Sequence, residues 1–551
     1  MPKSPVTTSR RSILQGLAIA AQTARADHTA PKTKPIAQPV VETTAGKVRG
    51  YYLNGTCAFK GIPYGASTAG AGRFLPPRKP LPWAGVRSTV NYGHISPHAN
   101  YLDQPPDNAP HRDEDGYLLY RTSWWPAGED CLQLNVWTPA LGSTKRTVLV
   151  YMHGGGFSNG SAHELAAYDG ENLAHRNDCV VVTHNHRLNV FGYLNLAEYS
   201  SDYAQSANAG MLDCVALLEW VRDNIERFGG DPANVTVFGE SGGGGKVAAL
   251  LTMPQAKGLF RRAIIQSWPF YPFVKPTDSS AIAAALLSEL NIGKMNFTQL
   301  QDVPVGRLID TAAAVLRKMP LNAARRMSWQ PTVDGKVIPV DPADRGGPAL
   351  SSNVPVILGT TLNEFVSGVD NPDVHNFSAE KLAQLTEERF GAKAGEIVEA
   401  YRHEYPKASP FELWAAISAY VMRLPTIQYA DAKAALNAAP VYHYVFGWKT
   451  PALGGHIGTF HGCDIAFVFD NADRLPRQTG GAPEALALST QMSRAWANFA
   501  RHGNPNHAGM PQWTRFDAAK QASMFFDDPS VVKNNPERAG LRLIAQAQGS
   551  R

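Results

Sequence analysis

The stretch Val235–Leu251, "VTVFGESGGGGKVAALL", decides between two kinds of functional site. An apolar, β-branched run enters a glycine-rich turn, and a run typical of a helix leaves it. A strand, a glycine loop and a helix in this order either bind phosphate or present a nucleophile. The spacing of the residues around the turn distinguishes the two.

The phosphate interpretation fails on spacing. A phosphate-binding loop of the form G-x-x-x-x-G-K-[ST] needs a glycine at the start of the loop and a hydroxyl directly after the lysine. Counted from Lys246, these positions are occupied by Glu240 and Val247. A carboxylate has the wrong charge to face a phosphate, so the stretch argues against nucleotide binding.

The nucleophile interpretation fits, because Gly239–Gly243 has the form G-x-S-x-G between a strand and a helix. The four glycines Gly242–Gly245 oppose the helix by about 3–4 kcal/mol together, since each costs roughly 0.8–1 kcal/mol relative to Ala. We expect close approach of strand, helix and substrate to compensate. On the pentapeptide alone, a glycine-rich turn with an incidental Ser241 remains an alternative.

Composition narrows the class of protein. The chain has 551 residues, of which 44% are hydrophobic and 18% charged, which is typical of a globular protein with a large core. A net charge of +5 without a dense Lys/Arg cluster argues against nucleic acid as a partner. No apolar run is long enough to span a bilayer. The five cysteines have no metal-binding or C-x-x-C spacing, and we expect neither a metal nor an organic cofactor.

The N-terminus has the features of an export signal. Paired Arg10 and Arg11 precede a short apolar stretch, and Ala24-Arg25-Ala26 resembles a cleavage site. We therefore predict a twin-arginine signal peptide over residues 1–26, a spacer over 27–39, and one catalytic domain over 40–545. The protein would then be periplasmic or secreted. If the segment is only a disordered tail, the protein would be cytoplasmic.

The rest of the chain alternates strand-like and helix-like runs. "RTVLVYM", "CVVVTH", "VTVF" and "VPVILG" are strand-like, and "MLDCVALLEWVRDNIERF" has apolar residues at helical spacing. This alternation predicts an α/β fold with a mostly parallel sheet. Sites in such sheets form at the carboxyl ends of the strands.

A second glycine loop, "HGGGF" at His153–Phe157, closes one of these strands. An oxyanion hole needs main-chain N–H groups directed at the developing charge, and glycines leave room for substrate there. Its place upstream of the G-x-S-x-G motif favours this role. A plain tight turn is the alternative.

A serine nucleophile needs a base and a carboxylate that orients the base. Among sixteen histidines, His461 in "GTFHGCDIAFVF" lies late in the chain in a glycine-flanked loop. Glu364 in "VPVILGTTLNEF" follows the strand predicted over Val354–Leu358. The residues alone leave other histidines and carboxylates open.

A family resemblance supports these choices. "FGGDPANVTVFGESGG" (Phe228–Gly243) and "EDCLQLNVW" (Glu129–Trp137) resemble the two signatures of the type-B carboxylesterases, the branch of the α/β-hydrolases that includes the cholinesterases. "FKGIPYG", "GRFLPP", "VTHNHRLNVFGYL", "NAGMLD" and "FARHGNPN" occur in the expected order. The resemblance covers about residues 40 to 545 and is strongest to bacterial para-nitrobenzyl-esterase-like members.

The resemblance implies an α/β-hydrolase fold: a central, mostly parallel sheet flanked by helices, with loop and helical insertions over the site. It implies a serine carboxylesterase with the triad Ser241, Glu364 and His461. It further implies oxyanion donors at Gly155, Gly156 and Gly242, and structural salt bridges Arg73–Glu129 and Arg187–Asp213. Hydrolysis of amides, carbamates or lactones uses the same groups and remains an alternative, as does a silent binding protein of the same fold.

The sequence departs from the family pattern at several positions. Alanine commonly follows the nucleophile, whereas Gly242 does here, and its N–H is retained. No cysteine lies between Cys57 and Cys131, which puts the family's disulfide in doubt. Lys246 lies one turn after Ser241, and we expect it to pair with a carboxylate and to have no chemical role.

The expected partner is a small ester substrate, bound by a monomer or weak homo-oligomer. In the family, the stretch "QSWPFYPF" runs close to the acyl side of the pocket, where Phe273 would add apolar surface. Trp268 occupies a place where relatives usually have room. The residues that we predict to line the pocket are Phe157, Glu240, Trp268, Phe270, Trp124 and Trp125. Simple packing without contact with substrate is the alternative for Trp124 and Trp125 and for the aromatic residues of QSWPFYPF.

Overall fold

A computed structural model describes residues 38–98, 126–319, 329–344, 346–369 and 371–549. Pro39–Arg551 form one compact unit. The predicted signal peptide, residues 27–37 of the predicted spacer, and Trp124 and Trp125 lie outside the described residues.

Fourteen strands occur in the described part of the chain, and they form two sheets. Three short strands, β1, β2 and β5, make a small sheet, and the other eleven make a large mixed sheet. The strands are β1 Val40–Glu42, β2 Lys47–Arg49, β3 Tyr51–Leu53, β4 Thr56–Pro63, β5 Val86–Ser88, β6 Gln133–Thr138, β7 Arg146–Met152, β8 Val180–His184, β9 Gly230–Glu240, β10 Arg262–Gln266, β11 Val356–Thr361, β12 Val441–Phe446, β13 Ser523–Phe526 and β14 Val531–Lys533.

The large sheet has the order β14-β13-β12-β11-β10-β9-β7-β8-β6-β4-β3. Its central strands, from β8 through β13, pair in parallel, and the strands at both edges pair antiparallel. Parallel neighbours end at the same edge of a sheet, so the loops that follow β7, β9 and β11 lie side by side. These are the loops that contain His153–Phe157, Ser241 and Glu364.

Helices pack on the sheet, as the predicted α/β fold requires. The α-helices are Glu171–Arg176, Asn189–Tyr193, Ala209–Asn224, Gly242–Leu250, Pro276–Glu289, Val305–Lys318, Gly347–Leu350, Ala379–Phe390, Ala394–Glu404, Pro410–Ser418, Tyr420–Ala435, Ile465–Val468, Pro476–Thr479, Pro483–His502 and Arg538–Gly549.

The central strands are largely apolar because both faces of the sheet are covered. Every residue of β8 and of β11 is buried. All five cysteines are buried and free. Among the described residues, no helix has the length and apolar character needed to cross a membrane.

Both salt bridges implied by the family resemblance are confirmed. Arg73 lies 2.6 Å from Glu129, and Arg187 lies 2.6 Å from Asp213, in each case between side-chain N and O atoms. Arg187 and Asp213 are both buried. Such a pair stabilises its surroundings only when its remaining polar atoms also have partners, and Arg187 donates a further hydrogen bond, of 2.7 Å, to the carbonyl of Leu75.

Two predicted element boundaries differ from the structure. The strand predicted over Val354–Leu358 runs over Val356–Thr361 instead. Gly359 lies within it, and a side chain there would overlap the ring of Tyr444 on the neighbouring strand. The predicted helix over residues 211–228 begins at Ala209, and its last turn, Ile225–Phe228, is a 3-10 helix.

Candidate active site

Ser241 lies at a sharp turn between β9 and the helix Gly242–Leu250. Its φ of 56° and ψ of −126° lie outside the regions that non-glycine residues normally adopt. The turn is held by a 2.9 Å hydrogen bond from the amide of Ser241 to the carbonyl of Gln266 on β10. A strained strand-to-helix turn is the structural context that the G-x-S-x-G motif requires.

The glycines after Ser241 make the close approach that their helical cost predicts. A Cβ on Gly242 would overlap the carbonyl oxygen of Gly156, and one on Gly243 would overlap that of Met152. A Cβ on Gly245 would lie 2.9 Å from the indole of Trp268. The helix can therefore pack directly against the loop His153–Phe157 and the end of β7 only because these positions lack side chains.

His461 and Glu364, which the sequence places 97 residues apart, meet in the structure. Nδ1 of His461 lies 2.6 Å from Oε2 of Glu364. The main chains also meet, because the amide of His461 donates to the carbonyl of Glu364 at 3.0 Å. Buried Glu364 therefore fixes both the position of His461 and the orientation of its ring.

The second nitrogen of His461 faces the nucleophile turn. Nε2 lies 3.2 Å from Oε1 of Glu240, the residue directly before Ser241. Burial alone would lower the pKa of His461, but the Glu240 carboxylate and the hydrogen bond with Glu364 outweigh burial and raise the pKa to about 9. The contact with Glu240 is an ion pair, and Nε2 makes no hydrogen bond to any described residue. Catalytic hydrogen bonds often tighten only when substrate binds.

The loop His153–Phe157 follows β7 and passes beside the start of the nucleophile helix, which we define as Gly242–Leu250. Gly155 and Gly156 have φ values of 81° and 63°, which favour glycine. The amides of Gly155, Gly156 and Gly242 donate to no other described residue. Oxyanion donors need N–H groups without an acceptor in the protein, and the role of these three as oxyanion donors stays a prediction.

The predicted pocket residues that the structure describes are largely buried. Phe157 is 1% exposed and makes edge contacts with the rings of Trp268 and Phe273. Phe270 stacks on Tyr429 with ring centroids 4.3 Å apart. Trp268, 7% exposed, therefore lies between Phe157 and the nucleophile helix.

The sequence did not identify three contacts of the site. Ser267 donates a 2.8 Å hydrogen bond to Oε1 of Glu364. Phe365, 65% exposed, lies with its ring 4.1 Å from that of His461, centroid to centroid. The expectation that Lys246 pairs with a carboxylate is wrong, because it donates instead to two main-chain carbonyls, those of His153 and Gly156. Ser267 belongs to the QSWPFYPF stretch, and this is the sequence feature that indicates its place near the site.

One group of side chains beside the loop His153–Phe157 has the composition of a metal site. His184, His186 and Cys214 each place a ligand atom within 4.8 Å of the others, and all three are buried. Burial raises the pKa of the Cys214 thiol to about 12, and burial together with the charge of nearby Lys246 lowers the pKa of His184 to about 3. Burial lowers the pKa of neighbouring Lys246 to about 7, and the absence of a metal stays a prediction.

Comparison with known proteins agrees with this geometry. The model of the carboxylesterase family matches residues 37–544. The chain is 35% identical to the para-nitrobenzyl esterase of Bacillus subtilis (strain 168), covering 93% of this chain and 99% of that protein. It is 31% identical to the phenmedipham hydrolase of Pseudarthrobacter oxydans, covering 92% and 96%.

Solved structures give the same result. An esterase from Clostridium hathewayi, described as able to hydrolyse aliphatic aromatic polyesters, superposes with a TM-score of 0.79 at 36% identity, covering 93% of this chain and 98% of that one. A carboxylesterase of Geobacillus stearothermophilus superposes with a TM-score of 0.73 at 33% identity, covering 91% and 99%. The chain therefore belongs to the carboxylesterase family and is a carboxylic ester hydrolase of the α/β-hydrolase fold.

Proposed function

We propose that the protein hydrolyses small carboxylic esters through an acyl-enzyme formed on Ser241. The observation that carries the proposal is the 2.6 Å contact between Nδ1 of His461 and Oε2 of Glu364, next to a serine held at a strained turn. A carboxylate at Nδ1 keeps the proton on that nitrogen and leaves Nε2 to act as the base.

In the first half-reaction, Oγ of Ser241 attacks the ester carbonyl and Nε2 of His461 takes its proton. The carbonyl oxygen becomes an oxyanion, which the N–H groups of Gly155, Gly156 and Gly242 stabilise. His461 then gives the proton to the leaving alcohol, and the acyl group stays on Ser241. In the second half-reaction, water loses a proton to Nε2 of His461 and attacks the acyl carbonyl. The bond to Oγ of Ser241 then breaks, His461 returns the proton to that oxygen, and the acid leaves.

Two alternatives use the same fold. Amide, carbamate or lactone hydrolysis needs the same nucleophile and differs only in the leaving group. A silent binding protein needs no reactive serine. A panel of p-nitrophenyl esters of rising acyl length, run beside aryl, carbamate and amide substrates, separates the hydrolytic alternatives.

A fluorophosphonate probe tests the nucleophile itself. We expect stoichiometric labelling of the wild type at Ser241 and none of Ser241→Ala, with kcat reduced by several orders of magnitude in Ser241→Ala and in His461→Ala. Ser378→Ala is the matched control, because Ser378 is an exposed helix cap that accepts a 3.2 Å bond from the amide of Lys381. Equal labelling of wild type and Ser241→Ala would refute the assignment, and an unlabelled, inactive wild type would favour the silent binding protein.

A further inference from the structure

Lys246 is a completely buried lysine on the nucleophile helix, one turn beyond Ser241. Its Nζ donates two hydrogen bonds of 2.9 Å, to the carbonyl oxygens of His153 and Gly156. It also lies 5.4 Å from the ring centroid of Phe157. All three contacts are therefore to the oxyanion loop, His153–Phe157. A buried ammonium is unfavourable unless it is well solvated by protein groups, so the position calls for an explanation.

The two carbonyls that Lys246 bonds lie on either side of the peptide units that carry the N–H groups of Gly155 and Gly156. The N–H groups of Gly155 and Gly156 belong to the two consecutive peptide units that join Gly154 to Gly156. The carbonyl of His153 belongs to the peptide unit just before them, and that of Gly156 to the unit just after. Because peptide units are planar and rigid, holding the units on both sides restricts the rotation of the two donors between them.

The intervening carbonyls also have donors within the protein. Nδ1 of His153 bonds to the carbonyl of Gly154 at 2.9 Å, and the amide of Asn159 bonds to that of Gly155 at 3.1 Å. All four carbonyls from His153 to Gly156 thus accept hydrogen bonds from the protein. The opposite edges of the donor peptide units, which carry the N–H groups of Gly155 and Gly156, have no acceptor among the described residues.

Gly242, on the nucleophile helix, leaves the space that the loop His153–Phe157 needs to approach the helix. Its missing side chain leaves the space in which the carbonyl oxygen of Gly156 lies, and that oxygen is one of the two acceptors of Lys246. Lys246 holds the loop against the helix, and Gly242 provides room for the loop there. The two departures from the family pattern noted in the sequence therefore act on one contact.

We propose that Lys246 is a positioning residue that fixes the Gly155–Gly156 donors at the nucleophile, so that its removal weakens stabilisation of the tetrahedral intermediate more than substrate binding. This proposal rests on the proposed function, with Ser241 as nucleophile. A single oxyanion donor contributes about 10²–10³-fold to kcat. Loosening the segment without removing its donors should lower kcat by a smaller factor, roughly 10- to 100-fold.

Lys246→Met tests the proposal, because it keeps the length of the side chain and removes the donors. We expect kcat for p-nitrophenyl acetate to fall about 10- to 100-fold with KM within about twofold. The affinity of an aryl trifluoromethyl ketone should fall by a similar factor. Ser241 adds to that ketone while His461 takes the proton, and the adduct carries an oxyanion that needs the same donors. Unchanged kcat and unchanged ketone affinity would overturn the proposal.

End-point labelling with a fluorophosphonate distinguishes a failure of the positioning role from a failure of the proposed function. Complete labelling of Lys246→Met with reduced kcat supports the positioning role. A wild type that is not labelled at Ser241 would instead refute the proposed function. If Lys246→Met does not fold, Lys246→Leu takes its place as a shorter apolar side chain without donors, and we expect the same fall in kcat and in ketone affinity. Wild-type kcat and ketone affinity in Lys246→Leu would then overturn the proposal.

Lys433→Met is the matched control. Lys433 is also buried, at 1% exposure, and donates to the carbonyl and hydroxyl oxygens of Ser351, on elements that carry none of the proposed catalytic residues. We expect Lys433→Met to lower the melting temperature without changing kcat or ketone affinity. An equal loss of kcat in both variants would show that Lys246 acts only through stability.

A double-mutant cycle tests the link to Gly242. In the wild type, Gly242→Ala should lower kcat because the new methyl group clashes with Gly156, which Lys246 prevents from moving away. In Lys246→Met the loop is free to withdraw, so the same substitution should reduce kcat by a smaller factor. The two losses should therefore be non-additive, and strictly multiplicative losses would contradict a shared contact.

Discussion

Nε2 of His461 lies 3.2 Å from Oε1 of Glu240, so the imidazole is held between two carboxylates. Glu364 contacts the other nitrogen, Nδ1, at 2.6 Å. Their combined effect outweighs burial and raises the pKa of His461 to about 9. A protonated imidazole cannot accept the proton of Ser241. We therefore expect kcat/KM to rise with pH until His461 is neutral.

Glu240→Gln should move this acid limb to lower pH. The substitution keeps the shape of the side chain and removes the negative charge that faces Nε2, so the protonated imidazole loses stabilisation. An opposite charge at such distances shifts a pKa by about 1–3 units. The measurement is kcat/KM against pH, which reports groups of the free enzyme.

Glu380→Gln is the control for this prediction, because Glu380 is exposed at the start of the helix Ala379–Phe390. It should leave the pH profile unchanged. An acid limb in Glu240→Gln that coincides with that of the wild type would show that Glu240 does not set the protonation of His461.

The buried pair Arg187–Asp213 should be essential for stability. Arg187→Met leaves the Asp213 carboxylate buried without its countercharge, which costs about 3–5 kcal/mol. We expect this loss in the free energy of unfolding, measured by urea denaturation. Adding Asp213→Leu should recover part of it, because the unpaired charge is then also removed.

The exposed pair Arg222–Asp223, with a 2.8 Å contact, provides the comparison. Arg222→Met should change the free energy of unfolding by no more than about 1 kcal/mol, because water screens exposed pairs. Similar losses at Arg187 and Arg222 would contradict the argument from burial.

The parts of the site predicted from sequence are those with a local cause. The turn at Ser241 follows from a strand that ends in G-x-S-x-G, and the glycines after it predicted close packing that the structure confirms. Glu364 was placed after the correct strand although the strand begins and ends later than predicted. Selecting His461 required the family resemblance, because no local pattern distinguishes it from the other histidines.

The contacts that the sequence did not predict are long-range and involve main-chain acceptors. The acceptors of Lys246 lie 90 and 93 residues away. Because every residue has a carbonyl oxygen, the sequence does not show which of them a lysine bonds. Pairing with a carboxylate was therefore the natural expectation for this lysine, and it was wrong. Ser267 reaches Glu364 only because β10 and β11 are neighbours in the sheet.

The N-terminal segment should direct export. Arg10 and Arg11 lie outside the described residues, so this prediction rests on sequence alone. We expect that changing both to lysine retains the enzyme in the cytoplasm with an uncut N-terminus. The measurement is cell fractionation with N-terminal sequencing. Arg25→Lys, near the expected cleavage site, is the control for charge-conserving change, and normal export of the double variant would rule out a twin-arginine signal.

Trp268, in the QSWPFYPF stretch, packs on the nucleophile helix. Its indole lies 2.9 Å from where a Cβ of Gly245 would be, and its ring makes an edge contact with Phe157, with centroids 5.9 Å apart. If this ring limits the acyl side of the pocket, removing it should admit larger acyl groups. If it only packs beneath the loop, removing it should affect stability alone.

Trp268→Gly should raise kcat/KM for long or branched acyl esters relative to acetate. Pocket volume changes of this kind give roughly 10- to 200-fold discrimination. The melting temperature should fall, since a cavity replaces a buried ring. Phe270→Leu is the control, because Phe270 stacks on Tyr429; it should lower the melting temperature and leave the acyl-length profile as in the wild type. An unchanged profile in folded Trp268→Gly would rule out Trp268 as a determinant of acyl specificity.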